Sequence, residues 1–235
     1  MTTPRKRPST STLAYERELW AQGYVHLCGI DEVGMGCLAG PVVAAACIFR
    51  EGQIPNGIRD SKLLTAKRRE ELDVEIRETA LSFAIASATV KEIDTINILQ
   101  AARLAMRRAI GQLNHPPHYL LIDGRFPIKE IALPQQAIIK GDRKSVSIGA
   151  ASILAKVFRD RLMAEMDTTY PGYGFAQHKG YGSELHRKAM QNLGVTPLHR
   201  KSFSWTPVRE DGAERVPEAG LSPLPDELSV EAPGG

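Results

Sequence analysis

Only three of the 235 residues are cysteines, Cys28, Cys37 and Cys47, and no two form a C-x-x-C pair. That excludes a disulfide scaffold and a zinc ribbon. Cys28 and Cys47 sit in apolar runs and read as small core residues, which suits a reducing cytoplasm. The chain has no run of 18 apolar residues, so no membrane-spanning helix is expected. The basic start, Pro4-Arg5-Lys6-Arg7-Pro8, leads into no apolar signal core. Internal repeats are absent too, which removes solenoids and propellers. Net charge is only +3, and that alone announces no polyanionic partner.

The balance hides an asymmetry. Beyond residue 208 the chain is acidic, with Glu210, Asp211, Glu214, Glu218, Asp226, Glu227 and Glu231 against two arginines. The remainder is therefore more basic than the total and suits a polyanion. With 43% hydrophobic residues, the chain is long enough for one domain with a sizeable core. The expected organisation is a disordered basic arm over 1–11, a folded domain over 12–208 and a disordered acidic tail over 209–235.

Within the domain, residues 12–22 read as a helix capped by Thr12. Tyr24–Ile30 and Val42–Phe49 read as buried strands. Thr65 caps a charged helix from Ala66 to Thr79, with Leu72 and Ile76 at i, i+4 spacing. Ser82–Val90 is a third strand, and Asn97 caps a helix to about Leu113. His118–Ile122 and Ala137–Lys140 are the last strands. A long helix from Val146 to about Asp167 opens with Gly149, Ala150, Ala151 and Ser152, small enough to lie close on a sheet. Leu185–Leu193 is a final helix. This order predicts a mixed five-stranded α/β sheet flanked by helices, with a C-terminal helical extension.

Acids stand where the strands end. The run to Ile30 stops at Asp31-Glu32 and a Gly34-Met35-Gly36 turn; the fourth strand stops at Asp123-Gly124, the fifth at Gly141-Asp142. A lone Asp-Gly is usually only a turn. Three strands ending in acids is a different matter, because sites in open α/β sheets gather at carboxyl ends. Adjacent carboxylates near apolar surface repel unless a cation sits between them. Oxygen donors without a His or Cys partner suit Mg²⁺ or Mn²⁺, and two such ions can clamp a phosphodiester.

These residues carry a resemblance. Gly29 to Gly36 with Leu38 to Ala46, Asp60-Ser61-Lys62, Ile122-Asp123-Gly124, Lys140-Gly141-Asp142, Ile148 to Asp160, and His178-Lys179-Gly180-Tyr181-Gly182 together resemble bacterial ribonuclease HII, in order, over about residues 12–206. The resemblance implies an RNase H-like fold and an endonuclease; a cytoplasmic monomer is the separate expectation. It would hydrolyse the RNA strand of RNA–DNA hybrids and nick duplex DNA 5′ of embedded ribonucleotides, leaving 3′-hydroxyl and 5′-phosphate ends. It implies Asp31, Glu32, Asp123 and Asp142 as catalytic acids, with the first three as ligands of Mn²⁺ or Mg²⁺. Gly34, Met35 and Gly36 would read the ribose through the backbone, and Tyr181 would stack on the next sugar. Apart from the resemblance, the basic side chains of Lys62 and Lys179 are expected to contact substrate phosphates. The chain departs from the family's usual pattern at Met35, where Arg is expected, and at Cys37, where Pro is expected. Met carries neither charge nor donor, so reduced but real activity on single ribonucleotides is expected. His178, His186 and His199 read as loop or surface residues rather than ligands.

Overall fold

Strand β1 runs Leu27–Val33, three residues later than the apolar run suggests, so Asp31 and Glu32 lie inside the strand rather than beyond it. The computed structural model describes residues 12–208; the arm expected over 1–11 and the tail expected over 209–235 lie outside the described residues. Strand β2 is Val42–Ile48, β3 Ser82–Ala88, β4 Tyr119–Asp123 and β5 Gln135–Ile138. They form one mixed sheet in the order β3-β2-β1-β4-β5. Antiparallel pairing joins β1 to β2 and β2 to β3, and parallel pairing joins β1 to β4 and β4 to β5.

Helices cover both faces. Helix α1 is Ala14–Ala21, α2 Ala66–Thr79, α3 Val90–Gly111 and α4 Val146–Thr169. Ala101, Ala102, Ala105 and Ala109 of α3 pack with Ala44, Ala46 and Ile30 on one face. Leu72 and Ile76 of α2, with Ala150, Ala151 and Leu154 of α4, pack with Val43, Ala45 and Cys47 on the other. The pattern is the period-2 alternation of a strand meeting the 3.6-residue stripe of a helix. Cys28, Cys37 and Cys47 are buried and free. The C-terminal extension is the short helix α5, Phe175–His178, and α6, Glu184–Leu193. Among the described residues no helix is long and apolar enough to cross a membrane.

The small residues at the start of α4 have a direct partner. A Cβ at Gly29 would fall 2.0 Å from the Ser147 carbonyl carbon, so backbone of β1 and backbone of α4 are in contact there. Buried Glu16 of α1 secures that helix start. Its Oε1 accepts from the Ser147 N–H at 3.0 Å and from the hydroxyl of Ser145, the α4 N-cap, at 2.5 Å. A carboxylate at a helix N-terminus satisfies free N–H groups and complements the dipole.

Other boundaries differ from the sequence reading for local reasons. Thr12 does not cap α1; Leu13 occupies that position, and the Thr12 hydroxyl donates to the Lys144 carbonyl at 2.9 Å. Strand β3 stops at Ala88 because Thr89 and Glu92 form a capping box that starts α3 at Val90. Asn97 interrupts α3 with φ of 65° and caps the part that follows, its Oδ1 accepting from the Gln100 N–H at 3.1 Å.

Candidate active site

Strand order brings the acids together. Ile30 of β1 pairs with Ile122 of the parallel strand β4, so the next residues, Asp31 and Asp123, stand side by side. Asp142 follows β5 in the 3-10 turn Gly141–Arg143. The turn is tied back to β4: the Gly141 N–H donates to Asp123 Oδ1 at 2.6 Å. Asp31, Glu32, Asp123 and Asp142 line one cleft of about 290 Å³.

The carboxylates push on one another. Burial raises the Asp31 carboxyl well above the usual range, and Glu32, Asp123 and Asp142 raise it further, while a hydrogen bond from Ser152 pulls it back. Burial and then Asp123 push Glu32 up to about 7, against the pull of its own backbone N–H and Lys62. Burial, Asp60 and Asp123 push Asp142 up to about 6, again against Lys62. The cleft is thus short of positive charge, which is the condition a bound cation relieves.

Not every expected residue reaches the cleft. Lys62 and Tyr181 line it. Lys62 is presented by the 3-10 turn Ser61–Leu63, capped by Asp60, which the Arg143 guanidinium holds at 2.8 Å. Lys179 does not line it; its ammonium donates to the Ala176 carbonyl at 2.6 Å, and its carbonyl accepts from Arg159. Gly34, Met35 and Gly36 do not line it either; they lie on the loop after β1, with Met35 partly buried against the α3-side core. Ser61, Ser152 and Lys156 also line the cleft. Lys156 is paired with Asp160 at 2.7 Å. Ser152 was legible only as a small helix residue. A hydroxyl among the sheet-facing Ala and Gly residues of α4 was the available signal.

The histidine reading needs correction. His186 is fully buried and His199 nearly so, with His178 stacked on His186 at 4.3 Å. The Thr196 N–H donates to His199 Nδ1 at 2.9 Å, so the neutral His199 ring carries its proton on Nε2 and donates to His186 Nε2 at 3.1 Å. His186 then donates from Nδ1 to the Tyr181 carbonyl at 2.9 Å. The Gly180 N–H donates to His178 Nδ1 at 3.1 Å. This neutral relay holds the backbone of the Tyr181 turn from behind. Isolated polar residues in a sequence do not reveal that they satisfy one another in a core.

The donor set fits a hard divalent cation. Among the described residues no His or Cys lines the cleft, and crowded carboxylate oxygens are what Mg²⁺ and Mn²⁺ take. Among the described residues no three His, Cys, Asp or Glu side chains are already gathered around one ion position. Closing a site would need rotamer changes of the carboxylates.

Sheet order, helix placement and a carboxylate-walled cleft over adjacent parallel strand ends define the class: an α/β enzyme with the RNase H-like fold. The ribonuclease HII family model matches residues 28–206. Ribonuclease HII of Ruegeria pomeroyi is 53% identical over 188 residues, covering 80% of this chain and 80% of that protein. Ribonuclease HII of Myxococcus xanthus is 50% identical over 223 residues, 94% of this chain and 74% of that protein. The ribonuclease HII solved in a PCNA complex from Archaeoglobus fulgidus has a TM-score of 0.67 at 26% identity, over 80% of this chain and 99% of that chain. The chain belongs to the ribonuclease HII family and is a ribonuclease H-type endonuclease.

Proposed function

We propose that the chain hydrolyses the RNA strand of RNA–DNA hybrids and nicks duplex DNA on the 5′ side of an embedded ribonucleotide, leaving 3′-hydroxyl and 5′-phosphate ends. The observation that carries this reading is the meeting of Asp31, Glu32, Asp123 and Asp142 in one cleft that also contains Lys62 and Tyr181.

Asp31, Glu32 and Asp123 would hold the divalent ions, with Asp142 completing the second position. Mg²⁺ or Mn²⁺ bound there supplies charge that activates a water and stabilises the departing 3′ oxygen. Asp123 is oriented for this by the Gly141 N–H, and Asp31 by the Glu32 N–H at 2.8 Å. Lys62 offsets negative charge beside Glu32 and Asp142 and would meet a phosphate. Tyr181, 40% exposed, offers a ring face to a sugar. Gly34 to Gly36 present backbone to the ribose 2′-hydroxyl, whose donor and acceptor character separates RNA from DNA. A histidine acid–base pair attacking through the 2′-hydroxyl has no candidate in the cleft, which favours water as nucleophile. The three free, buried thiols support a reducing, cytoplasmic setting, and we propose that the protein works as a monomer.

A labelled DNA duplex carrying one ribonucleotide, incubated with Mg²⁺, with Mn²⁺ or with chelator, tests this. The expected result is a 5′-side nick that needs metal and is lost in Asp31→Asn. Cleavage that survives chelation would rule the mechanism out.

A further inference from the structure

Two arginines beneath the loop after β1 are buried, and among the described residues neither forms an ion pair with a carboxylate. Arg159 of α4 is fully buried and Arg200 is 3% exposed. Arg159 donates to the carbonyls of Pro41 at 3.0 Å, Lys179 at 2.8 Å and Ala39 at 3.0 Å. Arg200 donates to the carbonyls of Gly40 at 2.9 Å, Met35 at 2.9 Å and Gly34 at 2.7 Å. Every acceptor is backbone, and the acceptors belong to the Gly34–Pro41 loop and the Tyr181 turn. The two segments are also joined directly: the Leu38 N–H donates to the Gly180 carbonyl at 2.8 Å, and Cys37 bridges Tyr181.

We propose that Arg200 is a positioning residue for ribose selection, with Arg159 holding the adjacent Ala39 and Pro41 carbonyls: the Arg200 guanidinium locks the Gly34-Met35-Gly36 turn in one conformation. The inference rests on the reading of that turn as the ribose reader. Burying a guanidinium without an ion pair is costly, and an apolar side chain would pack there at lower cost. What the charge provides is a planar fork whose several donors can take carbonyls from an irregular loop at once. Within the loop a single long hydrogen bond spans the turn, from the Cys37 N–H to the Gly34 carbonyl at 3.4 Å. The Met35 side chain offers no donor, and Gly34 sits at φ of 94° with no room for a side chain, since a Cβ would lie 2.3 Å from Arg159 Nε. The Phe203 ring lies 5.0 Å from the Arg200 guanidinium carbon and fixes its plane. Burial, with repulsion from Arg159 added, lowers Arg200 to about 10, so the group stays charged at neutral pH. Loss of the fork would loosen the turn without touching Asp31, Glu32, Asp123 or Asp142.

The test measures binding in an Asp142→Asn background, which removes turnover. Fluorescence anisotropy compares a DNA duplex carrying one ribonucleotide with an all-DNA duplex of the same sequence. One well-placed hydrogen bond to the 2′-hydroxyl predicts a preference of about 5–10-fold in the parent protein. Arg200→Lys should shrink that preference to about 2-fold or less while leaving all-DNA affinity nearly unchanged. With Asp142 restored, Arg200→Lys should raise KM on the ribonucleotide duplex more than it lowers kcat. A ratio of two affinities does not depend on how much of the protein is folded, so a purely structural role would leave it untouched. Should Arg200→Lys fail to fold, Phe203→Leu, which keeps the guanidinium but frees its plane, should give a partial loss of preference. An unchanged preference in the folded variant overturns the role of Arg200 alone. A parent protein with no preference for the ribonucleotide duplex overturns the ribose-reading turn itself, and this inference with it.

Discussion

The acid wall of the cleft and the loop after β1 are built on opposite principles. The wall formed by Asp31, Glu32, Asp123 and Asp142 concentrates like charge, and three of those carboxyls are driven above their usual range. The loop after β1 and the Tyr181 turn are underlain by Arg159, Arg200, His178, His186 and His199, whose polar atoms find partners one after another. The acid wall is destabilised until a cation arrives; the loop side is held rigid before anything arrives. Repulsion is stored where the acids crowd, and rigidity is stored in the loop proposed to read the ribose.

The largest effect that sharpens this contrast is on the acid wall. Asp31→Asn should abolish metal-dependent cleavage, a loss of about 10³-fold or more in kcat, and yet raise the melting temperature of the metal-free protein by a few °C, since about 1 kcal/mol is worth ~2–4 °C at this size. Assays of nicking and thermal unfolding on the same sample check both signs. A variant that loses activity and stability together would break the comparison.

The loop side predicts the reverse coupling. Gly34→Ala forces a positive φ on a side chain and drives it into Arg159, and should cost about 1–3 kcal/mol in urea denaturation. Gly36→Ala meets nothing within 4 Å and should change stability by about 0.5 kcal/mol or less, while slowing cleavage if the turn approaches the ribose closely. Equal stabilities for the two alanine variants would show that the loop is not seated on Arg159.

The pH dependence of stability separates the regions next. Glu32 titrates near 7 when folded and near 4.5 when unfolded; across that window the folded state binds the extra proton, so stability falls as pH rises. Saturating Mg²⁺ should flatten this fall. Burial lowers His186 to about 4 from an unfolded value near 6.5; there the unfolded state binds the extra proton, so stability rises with pH between about 4 and 6.5. Urea titrations of wild type and Glu32→Gln, with and without Mg²⁺, resolve the two slopes. A Mg²⁺-insensitive fall would detach it from the acid wall.

The smallest effect concerns Met35. Met35→Arg gains a phosphate partner but gives up apolar packing on the α3-side core, so KM for the single-ribonucleotide duplex should fall by about 10-fold or less. An unchanged KM would show that the methionine costs nothing.

The strand and helix pattern was legible because apolar periodicity survives in the linear chain. Val42–Ile48, Leu72 with Ile76, and the alanine stripe of α3 each announce their buried face. The acids were legible for a similar reason, since Asp31, Asp123 and Asp142 interrupt or follow apolar runs. The shift of β1, the capping box at Thr89 and the Asn97 break are competitions between local hydrogen bonds, which pattern alone does not rank. The reading of His186 and His199 as loop or surface residues fails on their burial, because burial of a polar ring is decided by its partners, not by its neighbours in sequence.

Hydrophobic alternation and the placement of carboxylates, both properties of the chain taken alone, determined the class of fold and named the acids. Tertiary structure decided what stands beneath them. Arg159 and Arg200 lie far along the chain from Gly34, and Glu16 far from Ser145; each meets its partner only because sheet order and helix docking bring backbone carbonyls, hydroxyls and N–H groups within 3 Å or so. Such contacts depend on distance in space, and a linear sequence does not carry distance between remote residues.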